Sequence, residues 1–143
     1  MRPIAVLLAA LTSSCLSAGA LLTDGKVRLA QHDLGAATRR FDEAAAKTRS
    51  PAQRVEALTL AADTCEQGGD MAGARRRLEA AITPDIPGSS EPALYALARL
   101  LETSDRPRAL NLYYRAASGA ERHRARGFPY HEATTRLLVL SQQ

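Results

Sequence analysis

The residues with chemistry to offer are few: three histidines, two cysteines and a thin scatter of carboxylates. His32, His123 and His131 are the only imidazoles, and Glu121 and Glu132 are the acids beside the last two. A metal site would need such donors on one face. His123 and His131 lie eight residues apart, however, and Gly127 and Pro129 interrupt any helix between them. No metal or cofactor is therefore expected. Cys65 stands between Thr64 and Glu66 on the side of Leu58 and Ala61, where a thiol packs as a small apolar group; a nucleophile would want a basic neighbour. The carboxylates Asp42 and Glu43, or Glu56 and Asp63, fall on helix surfaces without the burial that raises a carboxyl into general-acid range. Glycine-rich phosphate loops, nucleophile elbows, His-Glu-x-x-His and Cys-x-x-Cys are all absent from the sequence. No catalytic residue is assigned, and the chain is not expected to be an enzyme. The rival reading, an envelope metal enzyme, would have to be assembled from His123, His131 and nearby carboxylates.

Cys15 belongs to a different kind of chemistry. Met1-Arg2-Pro3 is a short basic start, Ile4 to Leu11 is apolar, and Thr12 to Ala20 is small and polar. That order is the order of an export signal, so residues 1–20 are expected to be address and residues 21–143 fold. Three outcomes stay open. Ala18-Gly19-Ala20 offers a signal-peptidase site; Ser13-Ser14-Cys15 resembles the end of a lipobox, which would make Cys15 the lipidated N-terminus; and residues 3–22 carry no charge and are long enough to stay as an anchor. Each places the protein in the cell envelope, periplasmic and either soluble or held to the membrane by its N-terminus.

The elements that would position any site are helices. The chain has 143 residues, 45% apolar and 4% aromatic, with 28 alanines and no tryptophan. Alanine is the best intrinsic helix former, and valine and isoleucine are too scarce for a sheet core. One pattern occurs three times: Asp33, Ala37, Phe41, Ala44; Asp70, Ala74, Leu78, Ala81; Asp105, Ala109, Tyr113, Ala116. The i, i+4, i+8, i+11 spacing puts the four residues on one helical stripe, with aspartate as the N-cap. A second apolar helix precedes each stripe. The middle one opens on Ser50-Pro51-Ala52-Gln53, a capping box with proline at the first helical position. Repeats are thus expected at about 21–48, 51–83 and 91–120. A last helix at about 129–141, with Ala133, Leu137, Leu138 and Leu140, is expected to cap the end.

These paired helices resemble the tetratricopeptide repeat. The residues that carry the likeness are Gly25, His32-Asp33, Ala37, Phe41 and Ala44; Ala62, Gly69-Asp70, Ala74, Leu78 and Ala81; and Ser104-Asp105, Ala109, Tyr113 and Ala116. The turn glycine is replaced by His32 and Ser104 in two of the copies, and the aromatic that the family often places early in the first helix is missing. The resemblance implies an all-α fold of antiparallel helix pairs stacked as a short right-handed α-solenoid. It also implies protein binding rather than catalysis, with the first helix of each pair lining a concave groove. That mapping gives Lys26 and Leu29; Glu56, Thr59, Asp63 and Glu66; and Glu91, Leu94, Leu101 and Glu102. Five acids against one lysine make the expected groove acidic, suited to a basic, partly apolar segment of a partner. The expected role is a non-catalytic adaptor of the bacterial envelope, or alternatively a lipid-anchored outer-membrane assembly or secretion factor. Self-association is compatible with only three repeats.

Charge is distributed unevenly. Residues 21–105 carry 11 basic and 13 acidic side chains, whereas residues 106–143 carry seven arginines against Glu121 and Glu132. Aromatics for base stacking are sparse in that basic stretch, and no nucleic-acid partner is expected.

Overall fold

The computed structural model describes residues 16–83, 86–123 and 130–142. Within these the chain is all helical: α1 Ala18–Ala30, α2 Leu34–Lys47, α3 Pro51–Gln67, α4 Met71–Ile82, α5 Glu91–Leu101, α6 Arg106–His123 and α7 Tyr130–Ser141. The repeated stripe sets the packing. Asp33, Asp70 and Asp105 each accept a backbone N–H three residues on, from Ala36, Gly73 and Arg108. Each carboxylate thus satisfies a donor that the first helical turn leaves free. The nine apolar stripe positions that follow, from Ala37 to Ala116, are at most 1% exposed. Burial of Phe41, Leu78 and Tyr113 contributes about 1.5–3 kcal/mol each, and the alanines between them let neighbouring helices approach closely.

Helix starts follow the sequence signals with two differences. Ser50 accepts from the Gln53 N–H at 3.3 Å, but the Gln53 side chain does not return to Ser50; it accepts from the Thr48 hydroxyl, which itself accepts the Ser50 N–H. The box is closed through a third residue. At the N-terminus, α1 begins at Ala18, with Ser17 as its cap accepting from Ala20 N–H. The division expected at residue 20 therefore falls inside the first turn of a helix whose Leu21 and Leu22 are buried.

The three turns are not alike. The N–H groups of Asp33 and Asp70 reach back five residues, to the carbonyls of Arg28 and Cys65, around a left-handed residue: His32 at φ 60° and Gly69 at φ 81°. The N–H of Asp105 instead reaches back four residues, to Leu101, and Ser104 has no positive φ. The third turn is one residue shorter in hydrogen-bonding terms, so positions counted back from Asp105 arrive one residue out of register along α5.

Sequential helices pack against each other throughout, and polar pairs join alternate helices into two rows. On one side Lys26 of α1 meets Glu56 of α3, Arg99 of α5 meets Glu66 of α3, and Tyr95 of α5 and Glu102, the α5 C-cap, meet Glu132 and Arg136 of α7. On the other, Arg77 of α4 grips Asp42 of α2 through two hydrogen bonds of 3.0 and 2.7 Å, and Arg108 of α6 meets Glu79 of α4 at 3.2 Å. Asp42 and Glu79 both lie nine residues after their helix's capping aspartate, so this row of even-numbered helices repeats the place of its acid as well as its core, while the arginines that meet them stand seven and three residues after theirs. Two apolar clusters fill the space between rows, one around Phe41 and one from α3 to α7, with Leu58 packed against both. In α7, Ala133 and Leu140 are buried and the Arg106 guanidinium donates to the Leu140 carbonyl, whereas Leu138, expected to pack inward, is 57% exposed.

Candidate functional site

The row of odd-numbered helices carries three adjoining hollows that share Arg99. One lies between Thr59, Asp63, Pro92, Tyr95 and Ala96; a second between Asp63, Glu66, Gln67 and Met71; a third between Tyr95, His131, Glu132, Thr135 and Arg136. Helix α3 positions the acids through i, i+3 and i+4 spacing: Glu56, Thr59, Asp63 and Glu66 fall on one stripe. Helix α5 supplies Pro92, Tyr95 and Arg99 by the same periodicity, and Glu102 follows as its C-cap.

Of the residues expected in the groove, the structure brings Lys26, Glu56, Thr59, Asp63, Glu66 and Glu102 to this face. Lys26 and Glu56 pair at 3.0 Å in the open. The Thr59 hydroxyl is turned back to the Val55 carbonyl at 2.8 Å. Glu66 accepts Arg99 with both oxygens at 2.6 Å. Glu102 accepts the Tyr113 hydroxyl and stands 3.7 Å from Arg136. Leu29 is half-buried and packs on the first apolar cluster.

Three of the expected positions are corrected. Leu94 and Leu101 are core, at 3% and 1% exposed, and Glu91 is buried at the start of α5, where one carboxylate oxygen accepts the Gly88 N–H at 3.0 Å. The shorter third turn is the cause: offsets that place Thr59, Asp63 and Glu66 on the face select Leu94, Ala98 and Leu101 in α5, about 100° away from the stripe of Tyr95 and Arg99. Sequence reasoning left Tyr95, Arg99, Met71 and Arg136 out of this face and considered His131 and Glu132 only as metal donors. The signal that could have found the first two was the polar–aromatic spacing within α5 itself, read without reference to Asp105. The face is consequently not the uniform acidic groove expected, because Arg99 and Arg136 stand among its acids.

Asp63 differs from its neighbours. It is half-buried, and among the described residues no ion pair holds it. Burial raises its carboxyl above the usual aspartate range, the nearby Glu66 adds to this, and Arg99 works against it. Tyr95, placed edge-on to Tyr113 with centroids 5.6 Å apart, donates to Glu132 at 3.0 Å; burial and that bond push its phenol up. His131 lies edge-on to Tyr130 at the rim of the third hollow, while the side chain of His123 lies outside the described residues, as does Cys15. Cys65 is buried beside the α3–α4 turn and has no disulfide partner among the described residues. Among those residues no group of three or more His, Cys, Asp or Glu is placed to hold a metal, and no helix is long and apolar enough to cross a membrane.

No family model matches the chain, and none of the curated proteins or solved structures compared with it does.

Proposed function

We propose that the protein is a non-catalytic adaptor of the bacterial envelope, a short right-handed stack of tetratricopeptide-like hairpins whose inner face holds a segment of a partner protein. The observation that carries this reading is the run of hollows around Arg99, two of them lined by one half-buried, unpaired acid. Glu56, Glu66 and Glu102 already have partners; Asp63 has been desolvated without one, and a lysine or arginine from outside would supply it. Tyr95, Pro92, Ala96 and Met71 flank that acid with apolar surface. The matching segment has a basic residue between apolar ones.

A peptide array in which charge and apolar content vary independently tests this. Peptides with a central lysine or arginine beside apolar residues bind best, and Glu56→Lys with Asp63→Lys abolishes their binding. Preference for acidic peptides, or unchanged binding in that double variant, sinks the proposal.

The lipid-anchored form of this adaptor is favoured over cleavage after Ala20. The Ser17 cap and the bond from Lys47 Nζ to the Leu16 carbonyl at 2.9 Å both use residues that such cleavage would remove, whereas a lipidated Cys15 keeps them. Palmitate labelling that depends on Cys15 supports the anchored form; a mature protein beginning at Leu21 refutes it.

A further inference from the structure

The antiparallel order of the hairpins gathers the start of α1, the end of α2, the start of α3, the end of α4, the start of α5 and the end of α6 at one end of the molecule. Direct contacts tie these termini together. Lys47, the last residue of α2, donates to Leu16 just ahead of α1; a hollow joins Arg49 and Arg54 at the start of α3 to Thr83 at the end of α4; and Glu91 at the start of α5 lies against Gly119 near the end of α6. Within three residues of these helix ends the exposed cations are Lys47, Arg49, Arg54 and Arg122, against the exposed acids Glu121 and, at the start of α7, which returns to the same end, Glu132 among the described residues; Glu91 is buried. The opposite end carries the capping aspartates Asp33, Asp70 and Asp105. Arg28, Arg99, Arg106 and Arg108 stand among those acids, whereas the end where the N-terminus emerges is net basic, with four exposed cations to two exposed acids among the described residues.

Two independent observations identify what this end meets. Leu16 fixes where the preceding chain departs, and that chain contains the uncharged run Ile4 to Leu11 and the lipidation candidate Cys15. Lys47 stands at the departure point, and Arg49 and Arg54 follow it across the turn into α3. Between Arg49 and Arg54 the surface dips into a hollow of about 390 Å³ floored by Val55, Leu58 and Ala80, an arrangement of cations around apolar ground that fits the head-group boundary of a lipid layer.

We propose that this basic end rests on the surface of an anionic bilayer, with Arg49 and Arg54 against the head groups and the inner groove turned sideways, open to a partner. The proposal rests on the reading of the chain as an envelope protein held through its N-terminus, and its test separates the two. The purified full-length chain is mixed with vesicles of phosphatidylcholine alone and of equal parts phosphatidylcholine and phosphatidylglycerol. Binding to neutral vesicles reports the N-terminal segment; the increment on anionic vesicles reports the basic end. Wild type is expected to bind the anionic vesicles at least about tenfold more tightly, with the gain fading as salt rises. Arg49→Glu with Arg54→Glu removes the gain and leaves neutral binding unchanged. Arg39→Glu with Arg76→Glu, the same charge change on exposed residues of the even-numbered helices, retains it. Equal binding of wild type to both vesicle types, or equal losses in the two double variants, overturns the proposal.

Discussion

The first and third hairpins answer the same packing problem differently. In the first, Phe41 is sealed and wholly apolar, because Gly25 on α1 yields it space: a Cβ there would sit 2.5 Å from the ring. In the third, Tyr113 occupies the equivalent place, equally buried, and its hydroxyl reaches Glu102 at the inner face. Burial pushes that phenol up strongly, with the Glu102 bond adding to the effect. The first core is closed off from the groove, whereas the third is wired to it. The turns differ in parallel, a left-handed His32 in one and none in the other. A repeat can conserve its stripe and still change what the stripe communicates with.

The largest expected effect breaks the first hairpin. Gly25→Ala forces the fixed Phe41 ring aside and costs about 2 kcal/mol, read by chemical denaturation, despite alanine's better helix propensity. Phe41→Leu in the same chain recovers most of that loss, because alanine with leucine is the pairing that Ala62 and Leu78 offer in the second hairpin. A double variant no better than the sum of its parts would refute the size complementarity.

Next in size is Tyr113→Phe, expected to cost about 1 kcal/mol through the lost bond to Glu102. Because that bond leads to the inner face, the variant also loosens Glu102 and weakens peptide binding. Unchanged binding would confine the third core to a structural role. His32→Gly is expected to gain about 0.5–1 kcal/mol by relieving a left-handed non-glycine residue, whereas Ser104→Gly gives no such gain.

Much of the fold was legible in the sequence because it depends on local, repeated requirements. An aspartate cap followed by apolar residues at helical spacing fixes a helix start and its buried stripe within a dozen residues, which is why Ala37, Leu78 and Ala116 behave alike. The inner face was less legible, because a face is set by rotation about the helix axis. One residue gained or lost in a turn rotates it by about 100°. Ser104 in place of glycine was visible in the sequence, but its consequence, closure of the turn on Leu101, was a matter of hydrogen bonding and not of residue type. Arg99 was missed for that reason alone, and its arrival divided an expected acidic groove into paired charges and one unpaired acid.

That acid gives the smallest stability effect and the most informative one. A raised folded-state pKa means that the native chain holds the Asp63 proton more firmly than the unfolded chain does. The contribution to stability is thus best below the ordinary aspartate range and is lost as pH rises through the window up to the raised value. Asp63→Asn should therefore stabilise the protein at neutral pH, by less than about 1 kcal/mol given the solvent that still reaches the carboxylate, and the advantage should vanish on acidification. A site kept for binding trades stability for function. The decisive measurement is denaturation and basic-peptide affinity on this one variant at neutral pH. A chain that becomes more stable while losing peptide affinity is the result expected of a partner-binding acid; affinity left at the wild-type value would contradict it.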